Sequence, residues 1–480
     1  MKHMSLREIT LACGGTYYGN DASLSTEVTG VAIDSRKIED GFLFIPIKGA
    51  RVDGHDFIPQ VMEKGALCTL SERVLPNACH PYILVDSCEQ AMKEIAQHYR
   101  TSLDIKVVGI TGSVGKTSTK EMIASVLSQK YNVLKTAGNF NNEIGLPLTI
   151  FNIREEHEVA VLEMGINHFG EMHRLTKMAQ PDVCVITNIG LCHLEYLGDR
   201  DGILKAKTEM FDYMQPNAKI ILNGDDDKLI TVGEVKGSLP KFFGLSTEHD
   251  AFATDIHSLS LKGTRCTLHL GDNNLETTIP IPGEHMVYNA LAGALVGQEL
   301  GLTPDEIKAG IEALIPISGR NNLIETESLL IIDDCYNANP VSMKASLDVL
   351  ATADTRKVAI MGDMYELGTD EKELLAGCGR HAAEKQIDVV ICIGQLAKYM
   401  AEGATQIVNA ISMAEDSAAQ QEGAGSKHVT QSVVYHFNTK ADFFNEADTL
   451  LKKGDTILVK ASHGMEFPEI VEHLKDLSLS

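Results

Sequence analysis

Lys106-Val107-Val108-Gly109-Ile110-Thr111-Gly112-Ser113-Val114-Gly115-Lys116-Thr117-Ser118 is a β-branched run followed by a glycine-rich turn, and Thr119 to Gln129 continues with helical composition. Strand, glycine turn and helix in this order form a phosphate cradle in parallel α/β proteins. Gly112, Ser113, Val114, Gly115 and Ser118 belong to the predicted cradle, where glycines let backbone N–H groups reach phosphate oxygens. The helix start adds partial positive charge, Lys116 bridges the terminal phosphates of ATP, and Thr117 can ligate Mg²⁺. The spacing departs from the common pattern, because Ile110 stands where a glycine is expected and Gly109 lies one step too early. Gly-Lys-Thr alone would also suit a turn that merely bends; the strand before it and the helix after it favour the phosphate loop.

From about Ile105 onward, β-branched runs alternate with amphipathic segments, the pattern of parallel α/β structure. The predicted strands are Lys106–Ile110, Val159–Glu163, Val183–Thr187 and Lys219–Leu222. Alternating residues with Gly-Asp-Asn turn chemistry between Ala251 and Ile281 predict appended antiparallel strands, followed by a helix over Tyr288–Leu300. Ile315-Pro316-Ile317-Ser318-Gly319 reads as a hinge linker. A second doubly wound unit follows, with strands at Leu329–Asp333, Lys357–Gly362, Val389–Gly394, Val433–Phe437 and Thr456–Lys460. The first hundred residues, rich in glycine turns, read as a separate domain.

The expected architecture is therefore α/β with three domains. Residues 1–103 form a small mixed α/β amino-terminal domain, 104–317 a central P-loop ATPase-like parallel-sheet domain with antiparallel strands, and 318–480 a carboxyl-terminal Rossmann-like domain. A chain of 480 residues exceeds what one core usually organises. The polar, Ala/Gly-rich stretch from Asp416 to Lys427 reads as a loop.

A formal charge of −24 argues against nucleic acid or an anionic membrane surface as the main partner, so an anionic substrate must be held by local devices. No apolar run approaches the roughly 20 residues of a membrane span and no signal-peptide core is visible, so a cytoplasmic location is expected. The ten cysteines include no C-x-x-C pair, and several lie in apolar strand runs, as reduced buried hydrophobes would.

Two predicted strands end in groups suited to a metal. Val159 to Leu162 leads into Glu163, and Val183 to Asn188 leads into the loop carrying His193. Ligands gather at the carboxyl ends of strands in open α/β sheets, so both could face the phosphate loop and hold Mg²⁺. The alternative makes Glu163 a solvated strand end and His193 an ordinary loop histidine; neither residue alone decides.

These residues resemble the Mur ligase family of amide-forming enzymes over nearly the whole chain. The family's variant phosphate loop is similar to Thr111–Thr117, its metal-binding glutamate to Glu163, its histidine to His193 and its modified lysine to Lys207. Gly283-Glu284-His285-Met286-Val287-Tyr288-Asn289-Ala290 resembles the nucleotide-contacting helix start, with Asn289 as the asparagine. Arg320 resembles the arginine at the domain junction, and Asp334 the acid directed at the ATP ribose. Asp34-Ser35-Arg36 and Lys48-Gly49 to Asp53-Gly54-His55 resemble segments receiving the UDP-muramoyl end. Asn139 to Leu148, which contains Asn142, resembles the family's D-alanyl-D-alanine-adding branch, as do Asp333 to Pro340 and Met361 to Gly368. Ala461 and His463 stand where that branch commonly has glycine and arginine.

The resemblance implies an ATP- and Mg²⁺-dependent ligase in which the carboxylate of UDP-N-acetylmuramoyl-tripeptide is phosphorylated and then attacked by the amine of D-alanyl-D-alanine. Lys116, Glu163, His193 and Lys207 would form the catalytic group, with Thr117 and the last three at the metal. It also implies a monomer, and closure about the hinge on ligand binding. Two alternatives stay open: a folylpolyglutamate- or cyanophycin-type ligase with another acceptor, and a module that binds ATP without ligating. Ile203, Lys207, Met210, Phe211 and Met214 fall on one face of a helix predicted over Asp201–Met214. Periodicity alone favours a Lys207 whose head reaches water; the resemblance favours a carbamate, an anionic oxygen ligand for Mg²⁺.

Overall fold

The computed structural model describes residues 1–76, 80–192, 194–421 and 432–479. They form two compact units, one of Met1–Ile189, Leu204–Phe242 and Leu295–Ile307, the other of Gly190–Ile203, Phe243–Ala294 and Lys308–Ser480.

In the first unit, the earliest strands make a small sheet in the order Thr16–Tyr18, Tyr82–Leu84, Cys68–Ser71, Leu43–Phe44 and Val31–Ala32, antiparallel at the first pair and parallel elsewhere. Ala32, Phe44, Ile58 and Val61 pack beneath it. The chain then builds a parallel array in the order Lys219–Asn223, Val183–Ile186, Lys106–Thr111, Val159–Glu163 and Val133–Lys135. Val159–Glu163 is buried throughout, as a strand covered on both faces must be. Lys106–Thr111 comes first in sequence yet lies inside the array, because the chain extends to one side of it and then returns to the other. That reversal opens a crevice at the strands' carboxyl ends.

In the second unit, Ala251–Ser258, Thr264–Leu270 and Asn273–Ile279 form the expected antiparallel ladder. Gly271 (φ +61°) opens the two-residue turn between the last two, where Leu270 pairs with Asn273. A six-stranded sheet runs Asn322–Glu325, Leu330–Asp333, Thr456–Lys460, Lys357–Gly362, Val389–Ile393 and Val433–Phe437, parallel after its first pair. Strand alternation sends Ala359, Met361, Val390, Cys392 and Leu458 into one apolar layer and Val358, Ile360, Ile391, Ile457 and Val459 into the other. Each such aliphatic side chain stabilises the fold by about 1.5–3 kcal/mol, so a polar residue at Ile360 would disrupt the sheet's core.

The predicted fold class is borne out, and the strands depart from their expected ends by a residue or so. Two local expectations need correction. The helix Lys398–Gln421 runs through the first part of the stretch read as a loop, because its alanines and glutamines are good helix formers; residues 422–427 lie outside the described residues. The helix expected over Asp201–Met214 stops at Thr208 and tightens into a 3₁₀ turn at Glu209–Phe211. Ile315–Gly319 has no regular structure. No helix among the described residues is long and apolar enough to cross a membrane.

Candidate active site

The segment from Gly112 to Ser118 is a tight turn held by hydrogen bonds. Gly112 has φ +152°, and a Cβ placed there would lie 1.9 Å from Thr187 Oγ1. Gly115 (φ +82°) opens the helix Lys116–Leu127, whose start carries no side-chain cap. That is the arrangement by which a helix amino terminus receives an anion. The end of the neighbouring strand fixes the loop: Ser113 N–H donates to Asn188 O (3.1 Å) and Val114 N–H to Asn188 Oδ1 (2.9 Å). Val114 O accepts from Thr187 Oγ1 at 2.6 Å and Asn188 Nδ2 at 3.0 Å. Lys116 folds back so that its ammonium donates to Gly112 O at 2.8 Å. Thr117 and Ser118 follow in the first helical turn, half-buried.

Strand register brings Glu163 beside this loop, because Ile110 pairs with Glu163 and Thr111 with Ile186. Glu163 is 2% exposed. Its Oε1 accepts from Asn141 Nδ2 (2.8 Å) and Thr117 Oγ1 (3.3 Å), whereas buried Oε2 has no hydrogen-bond partner. A buried carboxylate oxygen left open next to a threonine hydroxyl fits a hard divalent cation. No three His, Cys, Asp or Glu side chains form a metal cage among the described residues.

Lys207 is 2% exposed on the helix Arg200–Thr208, so its head is not in open water. His193 lies outside the described residues. Lys120 was not anticipated: 1% exposed, it lies one turn beyond Lys116, with its ammonium 3.8 Å from Glu163 Oε2. Its i+4 spacing from Lys116 was the available signal. Asn141 reaches Glu163, while the adjacent Asn142 is exposed and accepts from the N–H groups of Ile144 and Gly145 at the next helix's start.

In the second unit, Asn289 is buried in the helix His285–Glu299, its Nδ2 3.2 Å from Met286 Sδ. The Arg320 guanidinium stacks 4.1 Å above the Tyr336 ring. Asp334 is also buried: its carboxylate accepts from Lys460 Nζ (2.5 Å), Ser346 Oγ (2.5 Å) and Asn321 N–H (3.2 Å). The preceding acid, Asp333, holds the linker end by accepting from Gly319 N–H at 2.8 Å and Ser318 Oγ at 3.1 Å. A cavity of about 200 Å³ is lined by Ser318, Asp333, Tyr336 and His463 among others. His463 Nδ1 lies 3.2 Å from Tyr336 O, and its N–H donates to Asn337 Oδ1 at 3.2 Å. Ala461 is fully buried in the sheet's apolar layer.

In the amino-terminal sheet region, Asp34 caps a short 3₁₀ turn by accepting from Arg36 N–H, and its carboxylate pairs with the Arg36 guanidinium at 2.7 Å. Those hydrogen bonds hold the Asp34 carboxyl at a pKa of about 2. Ser35 O accepts from Lys64 Nζ, and exposed Lys48 forms an antiparallel bridge to Asp53. Nearby, Cys88 Sγ stands 3.9 Å from His55 Nε2, while His55 Nδ1 pairs with Asp53 at 2.7 Å. This is no nucleophile: Glu72 N–H donates to that Nε2 at 3.0 Å, and burial pushes the Cys88 thiol pKa far up.

The Mur ligase middle-domain model matches residues 110–297, the Mur ligase glutamate-ligase-domain model residues 319–463, and the Mur ligase family catalytic-domain model residues 27–100. The UDP-N-acetylmuramoyl-tripeptide–D-alanyl-D-alanine ligase of Bacillus subtilis is 39% identical, with 95% of each chain covered. The Escherichia coli enzyme of the same name is 34% identical over 99% of each chain. A crystal structure of MurF from Acinetobacter baumannii superposes with a TM-score of 0.86 at 31% identity, covering 99% of each chain. That of Thermotoga maritima MurF in complex with ADP gives 0.78 at 29% identity, covering 93% of this chain and 97% of the other. With family domains matched along most of its length and relatives above 30% identity end to end, the chain belongs to the Mur ligase family.

Proposed function

We propose that the chain is the ATP-dependent ligase that joins D-alanyl-D-alanine to UDP-N-acetylmuramoyl-tripeptide in cytoplasmic peptidoglycan precursor synthesis. The observation that carries the reading is the end-to-end likeness to ligases of that name, in a chain whose phosphate loop lies against a buried glutamate with one open oxygen. A free carboxylate does not form an amide unaided, because oxide is too poor a leaving group. In the proposed reaction the tripeptide carboxylate oxygen attacks the γ-phosphorus of ATP and ADP leaves. The amine nitrogen of D-alanyl-D-alanine then attacks the acyl phosphate, loses a proton and expels inorganic phosphate. No side chain need act as nucleophile; the work is positioning and charge stabilisation.

The loop from Gly112 to Ser118 receives the phosphates, and Lys116 leaves Gly112 O to follow the transferring phosphoryl group. Thr117, Glu163, His193 and a carbamylated Lys207 are the proposed Mg²⁺ ligands, and bound Mg²⁺ supplies neutralisation of phosphate charge. Asn289, Arg320 and Asp334 are proposed nucleotide contacts. Asp34, Ser35, Arg36 and Lys48 are assigned to the UDP-muramoyl end and Asn142 to substrate. The corresponding domains are 1–103, 104–317 and 318–480, and the enzyme acts as a monomer. Phosphate release from purified protein, measured with UDP-muramoyl peptides and a panel of dipeptides, tests the reading. Release is expected only with ATP, the tripeptide and D-alanyl-D-alanine together; release with neither acceptor nor amine, or with a glutamate-type acceptor instead, overturns it.

A further inference from the structure

The helix that begins at the phosphate loop buries an ammonium group that the reaction scheme leaves unused. Lys120 Nζ donates to Thr136 O at 2.8 Å and pairs with Glu121 at 3.1 Å, and Glu121 also pairs with Lys135. Glu163 Oε2 lies 3.8 Å from the same ammonium, too far for a hydrogen bond. Two ammonium groups and two carboxylates thus cancel. Because Thr136 and Glu121 fix the Lys120 head, it offsets the buried charge of Glu163 without occupying the lone pairs of Oε2.

We propose that Lys120 is a positioning residue, an internal counter-ion that keeps the Glu163 cluster neutral so that a divalent cation is retained only together with the nucleotide's phosphates. The proposal rests on the reading of Glu163 as a cation ligand. A doubly charged ion gains little from a neutral cluster. Remove Lys120 and the cluster carries a net negative charge in a poorly screened interior, where attraction over a few ångströms is strong. The lysine thereby couples metal to nucleotide, and an apolar residue of similar length would uncouple them.

Mn²⁺ serves as the probe, titrated against the full chain with the free ion followed by electron paramagnetic resonance, with and without ADP. The wild type is expected to bind Mn²⁺ weakly alone and more tightly with ADP. Lys120→Met is expected to bind Mn²⁺ without ADP at least about tenfold more tightly than the wild type, which shrinks the effect of ADP. A lysine that only filled space would lower the thermal midpoint on replacement without tightening Mn²⁺. A folded Lys120→Met protein with unchanged or weaker Mn²⁺ binding overturns the proposal. Glu121→Gln tests the opposite sign even if the first variant does not fold: it leaves Lys120 less compensated and should weaken Mn²⁺ binding to the ADP complex by about threefold or more, and no change there also overturns the proposal. Glu163→Gln separates the two ideas. Undiminished Mn²⁺ binding in that variant refutes the ligand reading itself, whereas lost binding there with wild-type values in the other two refutes only the role of Lys120.

Discussion

Replacing Gly112 with alanine probes the cradle where the backbone leaves least room. The added Cβ would lie 1.9 Å from Thr187 Oγ1, 3.1 Å from Thr187 Cβ and 3.2 Å from Thr187 N. Thr187 cannot simply retreat, because its hydroxyl donates to Val114 O at 2.6 Å and its N–H to Thr111 O at 3.0 Å. Overpacking costs about 1–3 kcal/mol and a lost hydroxyl hydrogen bond about 1 kcal/mol, so the variant should be destabilised by roughly 2–4 kcal/mol. At about 2–4 °C per kcal/mol for a unit of this size, calorimetry should show a midpoint lowered by roughly 5–15 °C. ADP affinity, measured by titration calorimetry, should fall by about tenfold or more, because the displaced loop carries the phosphate-facing N–H groups. Adding Thr187→Ala removes the closest contact, so the double variant should be more stable than the sum of the single effects by about 0.5–3 kcal/mol. A Gly112→Ala protein with wild-type midpoint and ADP affinity, or strict additivity in the double variant, would refute the close-approach argument.

Lys116→Ala should abolish ligation while the thermal midpoint stays within a few degrees, since the side chain contacts only a loop carbonyl at 2.8 Å among the hydrogen bonds described above; near-normal turnover would remove the phosphate-loop assignment. Lys207→Ala should lose most activity and recover part of it with a short-chain carboxylate in solution; full activity without rescue would count against a carbamate at this buried position. Burial of its ring lowers the pKa of His285 despite the pull of Asp334. The unfolded chain therefore binds a proton that the native chain does not, so this contribution to stability is present above a pH of about 6.5 and is lost as pH falls below it. Urea midpoints of His285→Gln should consequently depend less on pH between about 7 and 5 than those of the wild type, and equal slopes would contradict the shift.

The parts of the fold that were legible in the sequence are those where one physical demand dominates. Val159–Glu163 and Lys357–Gly362 are covered on both faces, so their apolar runs end where the strands end. Helix limits were less legible, since alanine- and glutamine-rich composition permits either loop or helix, as at Ala418 to Gln421, where the helix continues. In the site, Glu163 was visible because register follows from strand alternation. Lys120 was not, because a lysine inside a helix reads as solvated until tertiary packing covers it. Nor could pattern decide which of two adjacent asparagines turns inward: Asn141 meets Glu163, and Asn142 caps a helix start. Asp333 and Asp334 posed the same problem, and their partners, the Ser318-Gly319 turn and Lys460, come from distant parts of the chain.

A chain with a formal charge of −24 must hold a polyanion against its own field, and the first unit shows how range resolves that conflict. Surface carboxylates are screened over roughly 8 Å at physiological ionic strength, so their repulsion weakens beyond that distance. Inside the cradle, screening fails and local charge governs. There the chain places backbone N–H groups, a helix start without a side-chain cap and Lys116, none of which needs a basic surface. Glu163 would be a liability in such a place unless something offset it, and Lys120 does so from 3.8 Å, without hydrogen-bonding the open oxygen. On the proposed reading, net charge and nucleotide affinity are thereby separated: the first is spread over a screened surface, and the second is set by a few groups at the ends of adjacent strands. Neutralising surface acids should consequently leave ADP binding nearly unchanged at physiological salt, while a single change at Gly112, Lys116 or Lys120 should not.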